Sequence, residues 1–447
     1  MSGIIRRIAV LGAAAALLAS PVAAAMAASA DSPTAAEAAG TSAGASPTGS
    51  VPTPAERERA TRATAARLAA ENIVDVPVTF TVRNTNRSKT GCRTDGATRR
   101  VRGHLTAPAS VLSGEKRAIT LYQHGIAAGE WYWRLDVPGY HYAEELAKRG
   151  HASLTLDRLG YGSSDRPDGL GTCIGAEADI AHQIVGQLRE GSYALGSTAG
   201  EKAGASGAAG ASGASGASDE KAGASDKKGG ASDKKGGASG KKGDKGSGSA
   251  PGLDSPVTFD TVTLAGQSNG GQVVQIEAYS FGGIDGLMIM DWTDRGLTPE
   301  ANTRFFSALQ SCMAGGQPSR KASDPSGYVY YDLGPDQFRR GNFHDTEQRV
   351  MDAATPHQNR HPCGDMTSQL DSVFTDLEHL KSIKVPVLLV YGDDDARVTG
   401  GAAHRRLFTG AETELIDIPG AGHYATMARS APRTFDQIDA WLDARGL

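Results

Sequence analysis

The sequence predicts an α/β domain: a mostly parallel, twisted sheet flanked by helices, interrupted by a cap and by one long low-complexity insertion. Three observations carry that expectation. Short apolar, β-favouring runs alternate with helical patterns of ten to fifteen residues, the mark of βαβ units. One such run, residues 259–264, leads into Gly266-Gln267-Ser268-Asn269-Gly270, after which the apolar period turns helical. The last two strand-like runs are each followed at once by a chemical residue after glycine: Gly392-Asp393-Asp394-Asp395 and Gly420-Ala421-Gly422-His423.

Length and composition bound the rest. The 447 residues carry a formal net charge of only −4, which gives no sign of a nucleic-acid partner. Long Ala, Gly and Ser stretches cannot build a core, leaving roughly 300–330 residues of ordinary globular sequence. That suits one large domain with an insertion.

Taken in order, residues 1–30 read as a signal peptide. Arg6-Arg7 precede an apolar run too short to span a bilayer, and Ala28-Ser29-Ala30 offers an A-x-A cleavage site, with Ala25-Met26-Ala27 as a rival. Residues 31–55 read as a disordered linker and 56–75 as a charged helical segment. The core opens at 76 and runs to 195, with a strand pair near 76–82 and 99–105. Strands at 118–122 and 152–156 follow, with helices near 140–149 and 177–189.

Residues 196–251 are Gly, Ala, Ser, Lys and Asp, with Ala224-Ser225-Asp226-Lys227-Lys228-Gly229-Gly230 repeated from Ala231 to Gly237. Nothing apolar offsets the entropy of ordering them, so they read as a disordered spacer; the alternative is a weak contact with anionic cell-wall polymer. The insertion interrupts the domain without ending it, and the core resumes over 252–291 with a strand at 286–291. Residues 292–384 read as a cap, with helical patches at 304–312, 347–353 and 368–380. Strands at 385–391 and 413–418 and a helix at 435–444 close the core over 385–447.

The chemistry follows from residue types. A serine hydroxyl needs a base to take its proton, and the base needs an acceptor to fix its tautomer. In Gly266-x-Ser268-x-Gly270 between strand and helix, the glycines leave room for a strained turn that lifts Ser268 above the sheet. His423 is the candidate base. Asp395 is the candidate acid, with Asp393, Asp394 and Asp291 as alternatives. The backbone N–H of Asn269, at the start of a helix, and that of Ile126, after the strand ending at Tyr122, are the candidate oxyanion donors. His124 reads as structural. No C-x-x-C or H-E-x-x-H spacing occurs, so neither a metal nor a cofactor is expected.

His124-Gly125, Asp157-x-x-Gly160-x-Gly162-x-Ser164, Gly266-x-Ser268-x-Gly270, Gly392-x-x-Asp395 and Gly422-His423 together resemble the α/β-hydrolases, from about residue 76 to the C-terminus apart from the insertion. The resemblance implies the α/β-hydrolase fold and a Ser268-Asp395-His423 triad. In the resembled topology the turns holding Cys92 and Cys173 share a sheet edge, and Cys312 and Cys363 share the cap. It therefore implies the disulfides Cys92–Cys173 and Cys312–Cys363, in keeping with an exported protein. Asp157 and Arg158 are expected only to shape a loop beside the site.

The expected function is a secreted serine hydrolase that cleaves a small-molecule carboxylic ester through an acyl-serine, the cap's aromatic residues suggesting an apolar group on the substrate. The alternatives are the same triad acting on an amide or C–C bond or in cofactor-free perhydrolysis, and a catalytically silent cell-surface binding protein.

Overall fold

Among the described residues, nine strands share one sheet. They are β1 (Ile73–Arg83), β2 (Thr98–Pro108), β3 (Ala118–Gln123), β4 (Ser153–Asp157), β5 (Ala194–Leu195), β6 (Thr261–Gln267), β7 (Gly286–Met290), β10 (Val387–Gly392) and β11 (Thr413–Ile418). The two-residue strands β8 (Tyr328–Val329) and β9 (His361–Pro362) pair with each other in the cap. The helices are α1 (Ala109–Ser113), α2 (Tyr142–Lys148), α3 (Ile174–Glu190), α4 (Asn269–Ser280), α5 (Pro299–Met313), α6 (Pro335–Asn342), α7 (Gln348–Ala354), α8 (Cys363–His379), α9 (Gly401–Arg405) and α10 (Ala431–Asp443). This computed structural model describes residues 64, 66–196, 253–319 and 324–447. The expected signal peptide, the linker and all of the lysine-rich insertion except Gly196 lie outside the described residues.

The strand order β11-β10-β7-β6-β3-β4-β2-β1-β5 combines a parallel run from β11 to β4 with antiparallel pairing of β2, β1 and β5. Alternation along the central strands explains why they are buried on both faces. In β7, Leu287 and Ile289 enter one core while Met288 and Met290 enter the other; in β10, Val387 and Leu389 oppose Leu388 and Val390 in the same way. Helices α3 and α4 cover the first face with Ile180, Ile184, Val273 and Ile276. Helices α2 and α10 cover the second with Tyr142, Leu146, Phe435, Ile438 and Trp441. Each buried side chain of this kind is worth about 1.5–3 kcal/mol.

The topology also fixes where a ligand can sit. From β3 the chain moves to β4 on one side, then crosses back so that β6 pairs with the other edge of β3. Connections that leave neighbouring strands in opposite directions open a crevice at their carboxyl ends. Here that crevice lies between the loop after Gln123 and the turn after Gln267.

Several boundaries differ from expectation. The segment expected to be helical over 56–75 has its described helical residues at 64 and 66–70, and β1 begins at Ile73. Asn72 takes the left-handed conformation (φ 58°) that ends the helix, and the β-favouring Ile73 and Val74 then join the sheet. In the cap, α5 and α8 are longer than their sequence patches because Thr298 caps α5 by accepting from Ala301 N–H (3.1 Å) and Pro362 stands immediately before α8. Cys92 is bonded to Cys173 and Cys312 to Cys363, with Cα–Cα separations of 6.3 and 5.3 Å. The second bridge ties the end of α5 to the start of α8.

Candidate active site

The turn between β6 and α4 holds Ser268 at φ 53°, ψ −129°, a conformation that costs a non-glycine residue about 1–3 kcal/mol. Its neighbours hold it there. Ser268 N–H donates to Met290 O at 2.8 Å, tying the turn to β7, and Ser268 O accepts from Gly271 N–H at 2.7 Å. The flanking glycines are required by space rather than by angle. A Cβ on Gly266 would strike the Gly270 backbone, and one on Gly270 would strike the carbonyls of Gln123 and His124. A Cβ on Gly125 would lie 2.9 Å from Ser268 Cβ, so the loop after β3 presses directly on the serine. The α/β-hydrolase fold is present: this elbow on β6, the strand order around it, and loops holding Asp395 and His423 after β10 and β11.

His423 follows β11, and its Nδ1 lies 2.8 Å from Asp395 Oδ2 with both side chains buried. The other Asp395 oxygen accepts the N–H groups of Arg397 (2.6 Å) and Val398 (3.3 Å), which fixes the carboxylate's plane. Asp393 and Asp394, by contrast, are exposed; Asp393 accepts Gly420 N–H and Asp394 lies beside His344. Asp291 is fully buried, at φ 50°, and its Oδ1 accepts Gly392 N–H at 3.0 Å. Burial, and then the charge of Asp395, push its carboxyl well above the usual range. Of these four acids, Asp395 is the one bonded to the imidazole.

Ser268 and His423 face one cavity beneath the cap, and Ile126 and Asn269 line it with them. Among the described residues the Ser268 hydroxyl makes no hydrogen bond. Nor do the backbone N–H groups of Ile126 and Asn269 have an acceptor, and the latter is the first N–H of α4. His124 is buried behind this loop. Its Nδ1 lies 2.8 Å from Gly125 O and its Nε2 accepts Arg158 N–H at 3.1 Å, the pattern of a neutral ring with its proton on Nδ1. Burial, with Arg158 nearby, drives its imidazole well below the usual range, consistent with that tautomer.

No family model matches the chain, and no curated protein does either. Solved structures similar to it include a thermophilic esterase from Thermogutta terrifontis: 16% identity, 82% of this chain and 98% of that one covered, TM-score 0.49. Others are a membrane phospholipase A described as a bacterial virulence factor (14%, 88% and 92%, 0.45) and a monoacylglycerol lipase of Paleococcus ferrophilus (16%, 73% and 94%, 0.44). At such identities activity has to be read from this chain's own residues.

Two features of the hydrolase-fold site have no signal in the sequence. Gln267 Nε2 donates to His423 O at 2.9 Å, cross-linking the elbow to the histidine loop. Arg158, expected only to shape a loop, is buried and donates to Glu177 (2.5 Å), to Asn269 Oδ1 (3.0 Å), to Tyr161 (2.8 Å) and to Asp365 of α8 (3.2 Å). It thus joins the cap to Asn269, the first residue of α4. Burial pushes the carboxyls of both Glu177 and Asp365 up, and Arg158 opposes that shift. Arg158→Met is expected to lower unfolding free energy by about 3–5 kcal/mol, because two buried carboxyls lose their cation. Denaturant titration checks this, and adding Glu177→Gln and Asp365→Asn should recover most of the loss.

The one grouping with metal-ligand spacing among the described residues, His151, Asp439 and Asp443, has donor atoms within 4.8 Å of one another. His151 precedes β4, at the opposite end of the sheet from Ser268, and pairs with Asp439 at 2.8 Å.

Proposed function

We propose that the protein is a serine hydrolase that cleaves carboxylic esters through an acyl-Ser268 intermediate. The observation that carries this reading is the His423–Asp395 bond, set opposite a serine held in a strained elbow on one cavity. Asp395 engages Nδ1, which leaves Nε2 of His423 to take the proton as Ser268 Oγ attacks the ester carbonyl. The oxyanion that forms is met by the N–H groups of Asn269 and Ile126, two donors with nothing else to bond. Collapse of the tetrahedral intermediate breaks the C–O bond, and His423 returns its proton to the departing alkoxide. Water, deprotonated by the same Nε2, then attacks the acyl-serine and releases the acid.

Two disulfides agree with a protein working in an oxidising compartment, and no described helix is long and apolar enough to cross a membrane. The disulfides support the reading of an exported enzyme. The test is a fluorophosphonate probe. It should label the folded protein at Ser268, located by peptide mass, and the labelled protein should lose turnover of short acyl esters. Absence of labelling on a folded sample would favour a silent binding protein instead.

A further inference from the structure

Arg397 lies two residues beyond Asp395 and is the only lysine or arginine among the residues lining the Ser268 cavity. Its side chain is 6% exposed. One nitrogen, Nη2, donates to Asp332 Oδ1 at 2.7 Å, and the guanidinium lies 5.0 Å from the centre of the Tyr331 ring. The other, Nη1, is buried and has no hydrogen-bond partner. Four other residues lining the cavity each have one polar atom in the same condition: Trp292 Nε1, Asn269 Nδ2, Gln369 Oε1 and Gln267 Oε1.

A guanidinium nitrogen is an expensive group to leave without an acceptor, and among the described residues Nη1 of Arg397 is the only terminal guanidinium nitrogen that is buried without one. Two more unpaired donors belong to residues lining the cavity beside the serine, Trp292 Nε1 and Asn269 Nδ2. If a purely hydrocarbon group filled this space, these donors would stay unpaired. A group bearing an oxygen acceptor would pair with them. The planar guanidinium suits a carboxylate or a carbonyl. Asp332 already offsets the positive charge, so the acceptor need not be ionic.

We propose that Arg397 recognises an oxygen acceptor on the substrate, making the preferred substrate an ester whose cavity-bound half carries a second carboxylate or carbonyl group. Trp292 Nε1 is the second donor. The proposal rests on Ser268 being the nucleophile, and it departs from the all-apolar group that the cap aromatics suggest.

The experiment compares esters of one shape. Monomethyl succinate and methyl 4-oxopentanoate are set against methyl 4-methylpentanoate for the acyl half, and 3-acetoxypropanoate against 3-methylbutyl acetate for the alcohol half. The wild-type kcat/KM should favour the oxygenated member of at least one set by roughly 10-fold or more. The succinate and oxopentanoate arms separate a carboxylate preference from a neutral carbonyl one. In Arg397→Met that ratio should fall towards one, mainly through KM, and Arg397→Lys should restore part of it for the carboxylate. Equal or faster turnover of every hydrocarbon ester by wild type overturns the proposal without any variant having to fold. So does an unchanged ratio in a folded Arg397→Met. Absence of both ester turnover and Ser268 labelling would overturn the nucleophile reading first, and this proposal with it.

Discussion

Replacing Ser268 by alanine is expected to lower kcat on any ester the protein cleaves by about 10⁶-fold, the size of a triad knockout. The hydroxyl oxygen is the atom that would bond to the acyl carbon, and no neighbouring group can replace it in the elbow. The backbone should not register the change. Alanine meets the same strain at φ 53° as serine does, and the bonds that hold the turn, to Met290 O and from Gly271 N–H, are made by the main chain. The variant should therefore unfold within about 1 kcal/mol of wild type. Some rate above that in water should survive, since the N–H groups of Asn269 and Ile126 would still polarise a bound ester. Single-turnover and steady-state assays on wild type and variant read both quantities. Retention of even one-hundredth of the activity would remove Ser268 from the nucleophile's role.

What could be read in the sequence were features with local causes. Strand periodicity, the glycines around Ser268 and the glycines before Asp395 and His423 are contiguous signals, because the tight turns they make are contiguous. The choice among Asp291, Asp393, Asp394 and Asp395 fell on Asp395 there but was not closed. It depends on which carboxyl is buried against His423, and three of the four are consecutive in the loop. The rest was hidden for a related reason. Arg158 finds Glu177, Asn269 and Asp365 at separations of 19, 111 and 207 residues, and Arg397 finds Asp332 at a separation of 65. In sequence each is an isolated charged residue, ordinarily a solvated one. Folding of the helices onto the sheet brings Glu177 and Asn269 to Arg158, and the cap supplies Asp365 and Asp332. The short helix α6 was missed likewise: its Pro-Asp-Gln-Phe-Arg-Arg-Gly-Asn sequence buries little beyond Phe338, Gly341 and Asn342, so no apolar stripe announces it.

Asparagine at Asp395 is expected to cost about 10⁴-fold in kcat, and asparagine at Asp291 less than about 10-fold. The two residues stand side by side at the ends of neighbouring strands, which makes the contrast informative. Asp395 accepts the Nδ1 proton of His423 and, with its second oxygen, two backbone N–H groups. An amide there would turn either its NH₂ or its carbonyl towards the imidazole. In the first case His423 would flip its proton to Nε2 and could no longer take one from Ser268. Asp291 accepts backbone N–H groups, from Gly392 at 3.0 Å and from Ala425, and an asparagine carbonyl keeps the first of these. Its effect should instead appear in stability. Burial and the nearby Asp395 charge raise the Asp291 carboxyl in the folded chain above its unfolded value, so the folded state binds the proton more tightly. Wild-type stability from this group is then greatest below the unfolded value, about 3.9, and falls as pH rises through the window towards the folded value. Asparagine has no proton to lose. Asp291→Asn should therefore be at least as stable as wild type at pH 8, with its advantage shrinking towards pH 4, as thermal unfolding across that range would measure. Should Asp291→Asn cost the 10⁴-fold and Asp395→Asn little, the acid's role passes to Asp291 and the bond between His423 and Asp395 becomes structural.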